Sequence, residues 1–236
     1  MDPRFFTYSF YERLLDCLVS QEFTFHFFGD ESGQKVAYLR HDCDFSIELG
    51  LKLGQFEAKK GVRATYFVML ESDAYDVREH ASQLSELIQL GHQVGLHYVL
   101  NSDMDQQEKI RKQANELSDL IGESIKAFSV HRPAYLSSKG LNVTQLQVPG
   151  LINTYDEIFF KPGQYISDSN HHWRCGDPLS FLINTPHNMV QLLTHPIWWT
   201  EHECDRWKKV ETFLEGSDFH MIRYFQENVA FVGEGQ

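Results

Sequence analysis

Val36-Ala37-Tyr38-Leu39-Arg40-His41-Asp42-Cys43-Asp44 is the stretch on which the reading of this chain turns. Its first five residues are a short run with β-forming side chains and read as a strand. Its last four bring a histidine and two carboxylates to that strand's C-terminal end. An amphipathic stretch follows over residues 46–60, with Ile47, Leu51 and Ala58 on one stripe and Gly61 as a stop, and predicts a helix. The alternation then repeats. Residues 64–69 read as a second strand, 78–90 as a helix closed by Gly91, and 93–97 as a third strand. Ser102 is the expected cap of a long helix carrying Ile110, Ala114, Leu117 and Ile121, and residues 127–131 form a fourth strand. The middle is less regular, with a short helix near 138–145 and brief strands at 151–154 and 165–167. Residues 189–194 read as the last strand. Thr200-x-x-Glu203 has the pattern of a capping box opening a further helix, and 218–229 predicts a final one.

Strands alternating with helices at this pitch mean βαβ units and a mainly parallel sheet in an α/β protein. No G-x-G-x-x-G follows the first strand, so a Rossmann nucleotide site has no support. The length of 236 residues suits one domain spanning 1–236. With 42% hydrophobic and 23% charged residues the chain has the composition of a folded globular protein. No stretch approaches ~18 uninterrupted apolar residues, which argues against a membrane-spanning helix. Met1-Asp2-Pro3-Arg4 opens no basic-then-apolar run, and the expected location is cytoplasmic. The balance of 21 Lys and Arg against 33 Asp and Glu gives a net charge of -12. So acidic a chain is a poor generic nucleic-acid binder. Cys17, Cys43, Cys175 and Cys204 form no C-x-x-C pair and are expected as reduced thiols.

Histidine is abundant, with 12 copies, and several stand where chemistry is expected. In closed α/β barrels the active site lies at the C-terminal ends of the strands. The four clearest strands end in Arg40-His41-Asp42-Cys43-Asp44, Gly95-Leu96-His97, Val130-His131-Arg132-Pro133 and Leu193-Thr194-His195-Pro196. Each delivers His or Asp to one rim. Asp42 and Asp44 are two apart, so in an extended chain both face the same way. One carboxylate can hold a cation while the other takes a proton from water. The plainer reading of Asp42-x-Asp44 is a turn capping the helix that follows.

At these residues, over roughly 36–196, the chain resembles the polysaccharide deacetylase family, the NodB-homology carbohydrate esterases of family 4, in a divergent R-H-D-x-D form. The Asp-rich strand end is Arg40 to Asp44; G-H-E-I-G-x-H corresponds to Gly91-His92-Gln93-Val94-Gly95-Leu96-His97; R-x-P-Y corresponds to His131-Arg132-Pro133-Ala134; L-x-H corresponds to Leu193-Thr194-His195. The resemblance implies an irregular (β/α) barrel of about seven strands, a distorted TIM barrel. It implies Asp42 as general base, His195 as general acid, and one divalent metal, zinc foremost, held by Asp44 and His97. The family's second metal histidine falls on Asn101, its motif-three arginine on His131 and its tyrosine on Ala134. His131 or Asn101 is expected to complete the metal site, with His131 alternatively touching substrate, or Arg132 restoring the displaced charge.

The implied reaction is removal of an N-acyl group, usually acetyl, from a sugar or glycan precursor, by a protein that is not integral to a membrane. Arg132, Asp168, Trp173 and Trp198 are the expected substrate-side residues, with Asp168 alternatively orienting a catalytic neighbour and the tryptophans alternatively packing. His41, facing away from Asp42, and His92 are expected to be structural, and His171 and His172 to lie on the surface. Two other readings are a non-catalytic carbohydrate-binding relative and a metal hydrolase of another amide or ester.

Overall fold

The computed structural model describes residues 3–30, 33–100, 105–133, 142–215 and 219–229. Its strands are β1 (Thr24–Phe25), β2 (Val36–Asp42), β3 (Thr65–Val68), β4 (Gln93–Tyr98), β5 (Ala127–Val130), β6 (Ile152–Asn153), β7 (Tyr165–Ser167) and β8 (Met189–Thr194). All named pairings are parallel. The order runs β6-β5-β4-β3-β2-β8-β7, with β1 attached to β2. This is the expected α/β architecture, an eight-strand parallel sheet with seven strands in its main path, curled into an incomplete, distorted barrel. Among the described residues no pairing joins β6 to β7. Side-chain bonds span part of that seam: the buried Gln191 on β8 donates from Nε2 to Thr154 O at 3.1 Å and to Phe159 O at 3.0 Å.

Residues on β2 alternate between two buried faces, and all seven are buried. Val36 and Tyr38 pack inside the barrel with Phe28, Phe67, Ala127 and Phe159. Arg40 and Asp42 follow on that face, so it changes from apolar to charged toward the strand's end. Ala37 and Leu39 point into the layer between sheet and helices. Gly95, two residues before His97, is required by this packing: a Cβ there would lie 2.4 Å from the Phe67 ring.

The helices are α1 (Tyr8–Ser20), α2 (Ile47–Lys59), α3 (Ala81–Gln89), α4 (Gln106–Ile121), α5 (Pro178–Asn184), α6 (Arg206–Leu214) and α7 (Phe219–Asn228). Ser46 caps α2 by accepting from Leu49 N–H at 3.1 Å, so the helix does not draw its cap from Asp42 or Asp44. Three starts differ from expectation. The cap of α4 is Asp105, whose carboxylate accepts from Gln107 and Glu108; the expected cap, Ser102, lies outside the described residues. The capping box at Thr200 does not form, because Thr200 Oγ1 bonds His202 O and Lys209 Nζ while Asp205 caps α6. The helix expected from 78 is divided into a 3-10 turn, Val77–His80, and α3. The short helix near 138–145 is seen only as a 3-10 turn at Val143–Gln145, its earlier residues lying outside the description. Two helices were not anticipated. In α1 Phe10, Leu14, Leu15 and Leu18 are buried; α5 has Asp177 as cap and Pro178 in its first turn. Among the described residues no helix is long and apolar enough to cross a membrane.

Behind the sheet, His41 is a structural residue, as expected. Its Nε2 lies 2.9 Å from Glu57 Oε1 and its Nδ1 2.6 Å from Thr194 Oγ1. Glu57, on α2, also accepts from Tyr11 and, at 2.6 Å, from Tyr66. His92 joins the cluster, bonding Gly54 O at 2.9 Å and Ala64 N–H at 3.2 Å. Burial alone would raise the Glu57 carboxyl, but His41, His92 and the Tyr11 hydroxyl outweigh it and hold Glu57 below the ordinary carboxylate range. The stabilisation is therefore present above the unfolded-chain pKa of about 4.3 and is lost as pH falls through the lower folded value. Glu57→Gln should destabilise the fold at pH 7 by roughly 3–5 kcal/mol, because it leaves the remaining polar groups of the cluster imperfectly paired. Urea unfolding should show that deficit shrinking below about pH 4.

Candidate metal centre and acid–base pair

At the C-terminal rim, β2, β4, β5 and β8 deliver Asp42 and Asp44, His97, His131 and His195 to one place. Asp44, His97 and His131 each offer a ligating atom, and these atoms lie within 4.8 Å of one another. His97 Nε2 is 3.0 Å from Asp44 Oδ1, and His131 Nδ1 is 3.6 Å from the same oxygen. The two imidazole nitrogens are 3.2 Å apart. Ser129 Oγ lies 2.6 Å from His97 Nδ1, which fixes the ring with Nε2 turned to the cluster. Burial pushes the Asp44 carboxyl up, but His131 and His97 outweigh it and hold it well below its ordinary value.

The group fits a divalent cation. One carboxylate and two imidazoles form a common donor set for zinc and related ions, with positions left for water or substrate. Asp44 Oδ1 is buried and makes no hydrogen bond of good geometry, the condition of an oxygen turned toward a cation. Asn101 lies outside the described residues.

Asp42 sits beside this group, with Oδ2 at 3.8 Å from His97 Nε2. It is gripped by Arg40, whose Nε and Nη2 donate to Oδ1 and Oδ2, each at 2.8 Å. Burial opposes its charge, yet Arg40 and His97 prevail and lower its pKa. Arg40 was not singled out from the sequence as a site residue. The signal was present, since Arg40 precedes Asp42 by the same two-residue step that separates Asp42 from Asp44. Tyr155, whose hydroxyl accepts from Arg40 Nη2 at 3.0 Å, was missed as well.

His195 closes the other side, with Nε2 at 3.8 Å from Asp44 Oδ2. Asp168, fully buried at the end of β7, fixes it: Oδ1 lies 2.6 Å from His195 Nδ1, and both carboxylate oxygens accept from the His195 backbone N–H at 3.0 Å. Trp199 Nε1 donates to Oδ2 at 3.0 Å. Desolvation would lower the His195 pKa, but Asp168, then Asp44 and Asp42, raise it to about 9.

The expected substrate-side residues divide. Arg132 is exposed on the rim, next to His131, in a left-handed backbone conformation with φ of 52°. With His131, Leu70, Tyr75 and Tyr224 it lines a cleft of about 680 Å³. Asp168 is not a substrate contact here: it is enclosed and its carboxylate is engaged by His195 and Trp199, the orienting arrangement. Trp173 and Trp198 are corrected too. They are 0% and 2% exposed. Trp173 stacks near Phe6 at 6.0 Å and donates to Phe5 O at 3.3 Å, so it supports α1 and offers no face to a sugar. His171 is also buried, with its ring 3.7 Å from that of Phe6, because Phe6 provides an apolar shelf under this loop; His172 is half-buried.

The Asp168–His195 pair carries a measurable consequence. A histidine raised to about 9 stabilises the fold fully below about 6.5 and loses that contribution as pH rises through 9. In metal-free protein, Asp168→Asn should move the His195 titration down by more than one pH unit, read by NMR of the imidazole, because an opposite charge in contact shifts a pKa by roughly 1–3 units.

No family profile and no curated protein matches the sequence. Solved structures of carbohydrate esterase family 4 are similar to it at low identity. A CE4 family pseudoenzyme from Bacillus anthracis is 13% identical with a TM-score of 0.45, covering 79% of this chain and 63% of that one. The chain thus spans less than two thirds of that relative's length. A family 4 carbohydrate esterase from Bacillus anthracis is 14% identical with a TM-score of 0.44, over 92% of this chain and 87% of that one. A family 4 acetyl xylan esterase from Clostridium thermocellum, solved with a cobalt ion, is 14% identical with a TM-score of 0.44, over 82% and 91%.

Proposed function

We propose that this protein is a metal-dependent hydrolase that removes an N-acyl group, acetyl foremost, from a sugar or glycan precursor. The observation that carries the reading is the clustering of Asp44, His97 and His131 between a tethered carboxylate, Asp42, and an imidazole, His195, that is itself held by Asp168. Asp44, His97 and His131 would hold the cation, with zinc the leading candidate. When bound, such an ion polarises the scissile carbonyl and lowers the pKa of a water.

The chain's own residues divide the proton work. Asp42 is ionised and oriented, and accepts the proton of the attacking water. An amine leaves poorly unless it is protonated. His195, with Nδ1 engaged by Asp168, presents Nε2 to the cluster. With a pKa of about 9 it carries a proton at neutral pH, the state a general acid must start from. The cleft beside His131 and Arg132 is where the sugar would lie.

Elemental analysis of protein purified without chelator should find near-stoichiometric divalent metal in the wild type and little in His97→Ala, since each ligand supplies a direct bond. Asp42→Asn should keep the metal while turnover falls by about 10²-fold or more. Loss of metal from Asp42→Asn but not from Asp44→Asn would reverse the two assignments.

The decisive comparison uses His195→Ala on two substrates. Hydrolysis of an N-acyl sugar should fall by about 10²-fold or more, whereas an activated ester, whose leaving group needs no proton, should suffer far less. Equal losses would make His195 a positioning residue. A wild type that bound sugar but hydrolysed neither substrate would favour the non-catalytic reading.

A further inference from the structure

His195 follows Thr194 directly, and Thr194 is the last residue of β8 that pairs with β2, opposite His41. Beyond this rung the chain of β8 leaves the sheet. Side chains close the rung as well as the ladder, since Thr194 Oγ1 lies 2.6 Å from His41 Nδ1. Both residues are fully buried. The other ring nitrogen, Nε2, is 2.9 Å from Glu57 Oε1. Glu57 is held below the ordinary carboxylate range, so near neutrality it only accepts, and His41 Nε2 carries the proton it receives. The threonine hydroxyl bonds Nδ1 in either charge state of the ring, donating to a neutral imidazole and accepting from a protonated one. Hydroxyl, imidazole and carboxylate stand in the order of a nucleophilic triad. A hydroxyl sealed from solvent can attack no substrate, so the trio has another use. A second line of contact leaves the same carboxylate: Tyr11 donates to Glu57, its ring centre is 4.9 Å from that of Trp199, and Trp199 Nε1 donates to Asp168 at 3.0 Å. Glu57 is thus joined to His195 twice, through His41 and Thr194 to its backbone and through Tyr11, Trp199 and Asp168 to its ring. Asp42 projects from the other face of β2 and has a separate tie to Arg40.

We propose that Thr194 is a positioning residue for His195: its hydroxyl, bonded to the His41–Glu57 pair behind the sheet, locks the end of β8 so that His195 Nδ1 stays seated on Asp168 and Nε2 stays turned to the rim. Without the hydroxyl the last rung depends on the backbone ladder alone. The buried His41 nitrogen would then lack its partner, and the end of the strand would shift to relieve it. A displacement of about an ångström is enough to spoil a proton-transfer geometry. The effect falls on His195 and spares Asp42, because Arg40 holds that carboxylate independently of the cluster. The catalytic half of this assignment rests on the function proposed above; the seating of His195 on Asp168 does not.

Thr194→Val keeps the shape of the side chain and removes the hydroxyl, whereas Thr194→Ser keeps the hydroxyl. In the full metal-free chain, NMR of the proton held between His195 Nδ1 and Asp168 reports the seating without any substrate. Its exchange with water should be about tenfold or more faster in Thr194→Val and close to wild type in Thr194→Ser. With metal restored, hydrolysis of an N-acyl sugar should fall about 10–100-fold in Thr194→Val, in kcat at little-changed KM and unchanged metal content. An activated ester should lose far less, and Thr194→Ser should stay within about threefold of wild type on both substrates, because the bond is kept. Thr194→Val added to His195→Ala should cost nothing further, since the threonine acts through that imidazole. If Thr194→Val does not fold, as judged by circular dichroism, Thr194→Ala supplies the same comparison. The proposal is overturned if removing the hydroxyl leaves the exchange rate unchanged, if it leaves the turnover of an active wild type unchanged, if amide and ester fall equally, or if the loss adds in full to that of His195→Ala. A wild type that shows the exchange responses yet hydrolyses no N-acyl sugar would overturn the proposed function and leave the seating of His195 by Thr194 standing.

Discussion

Charge buried on the inner face of a parallel sheet is the constraint from which the rest of this architecture follows. Such a sheet is covered on both sides, so an ionised group on it loses water and must find its partners within the protein. Arg40 and Asp42 meet this by pairing with each other in a fork, with Tyr155 and Gln191 taking up further donors. His41, pointing the other way from the same strand, meets it through Glu57 and Thr194. One short strand thus carries a buried polar side chain with its partners in place on each of its faces. Its neighbours supply the aromatic rings and hydroxyls that make both pairs tolerable.

The same constraint shapes the C-terminal rim of the sheet. Asp168 has no access to solvent, yet its two oxygens receive a backbone N–H, an imidazole and an indole. A carboxylate so enclosed cannot wander, and neither can the histidine it holds. Asp42 is restrained in like manner from the opposite side. The groups between them, Asp44, His97 and His131, turn their facing atoms toward one another. They are arranged around a position that a cation would satisfy.

Much of this was legible in the chain before the structure. The strand–helix alternation gave the parallel sheet because hydrophobic period and glycine stops are local signals. The histidines and aspartates at four strand ends came together because parallel strands all place their C-terminal ends on one side. For His131 the sequence left metal ligand and substrate contact open; the structure places it beside Asp44 and His97. What was not legible depended on contacts distant in sequence. The cap of α6 moved from Thr200 to Asp205 because Lys209 claims the threonine hydroxyl. His171 was read as surface, and Trp173 and Trp198 were left between sugar contact and packing, because nothing local announced α1 and the Phe6 ring beside this loop. Arg40 was overlooked because it reads as the end of a strand, and its bond to Tyr155 spans 115 residues.

Lys209 ties together pieces that the sequence keeps far apart. Its buried ammonium donates to Phe6 O at 2.9 Å, Trp198 O at 2.6 Å and Thr200 Oγ1 at 2.9 Å. Beside it, the backbone of Tyr8 bonds Thr200 O and that of Thr200 bonds Phe6 O. The segment that enters α1 is therefore laced to the segment that leaves His195. The latter also carries Trp199, the indole that helps hold Asp168. Although α1 contributes no atom to the candidate metal site, it forms one wall of the bracket in which the His195 loop is mounted. The early chain and the histidine loop consequently share one mechanical fate: whatever loosens the first helix slackens the His195 side of the rim, while the β2 carboxylates opposite keep their own moorings.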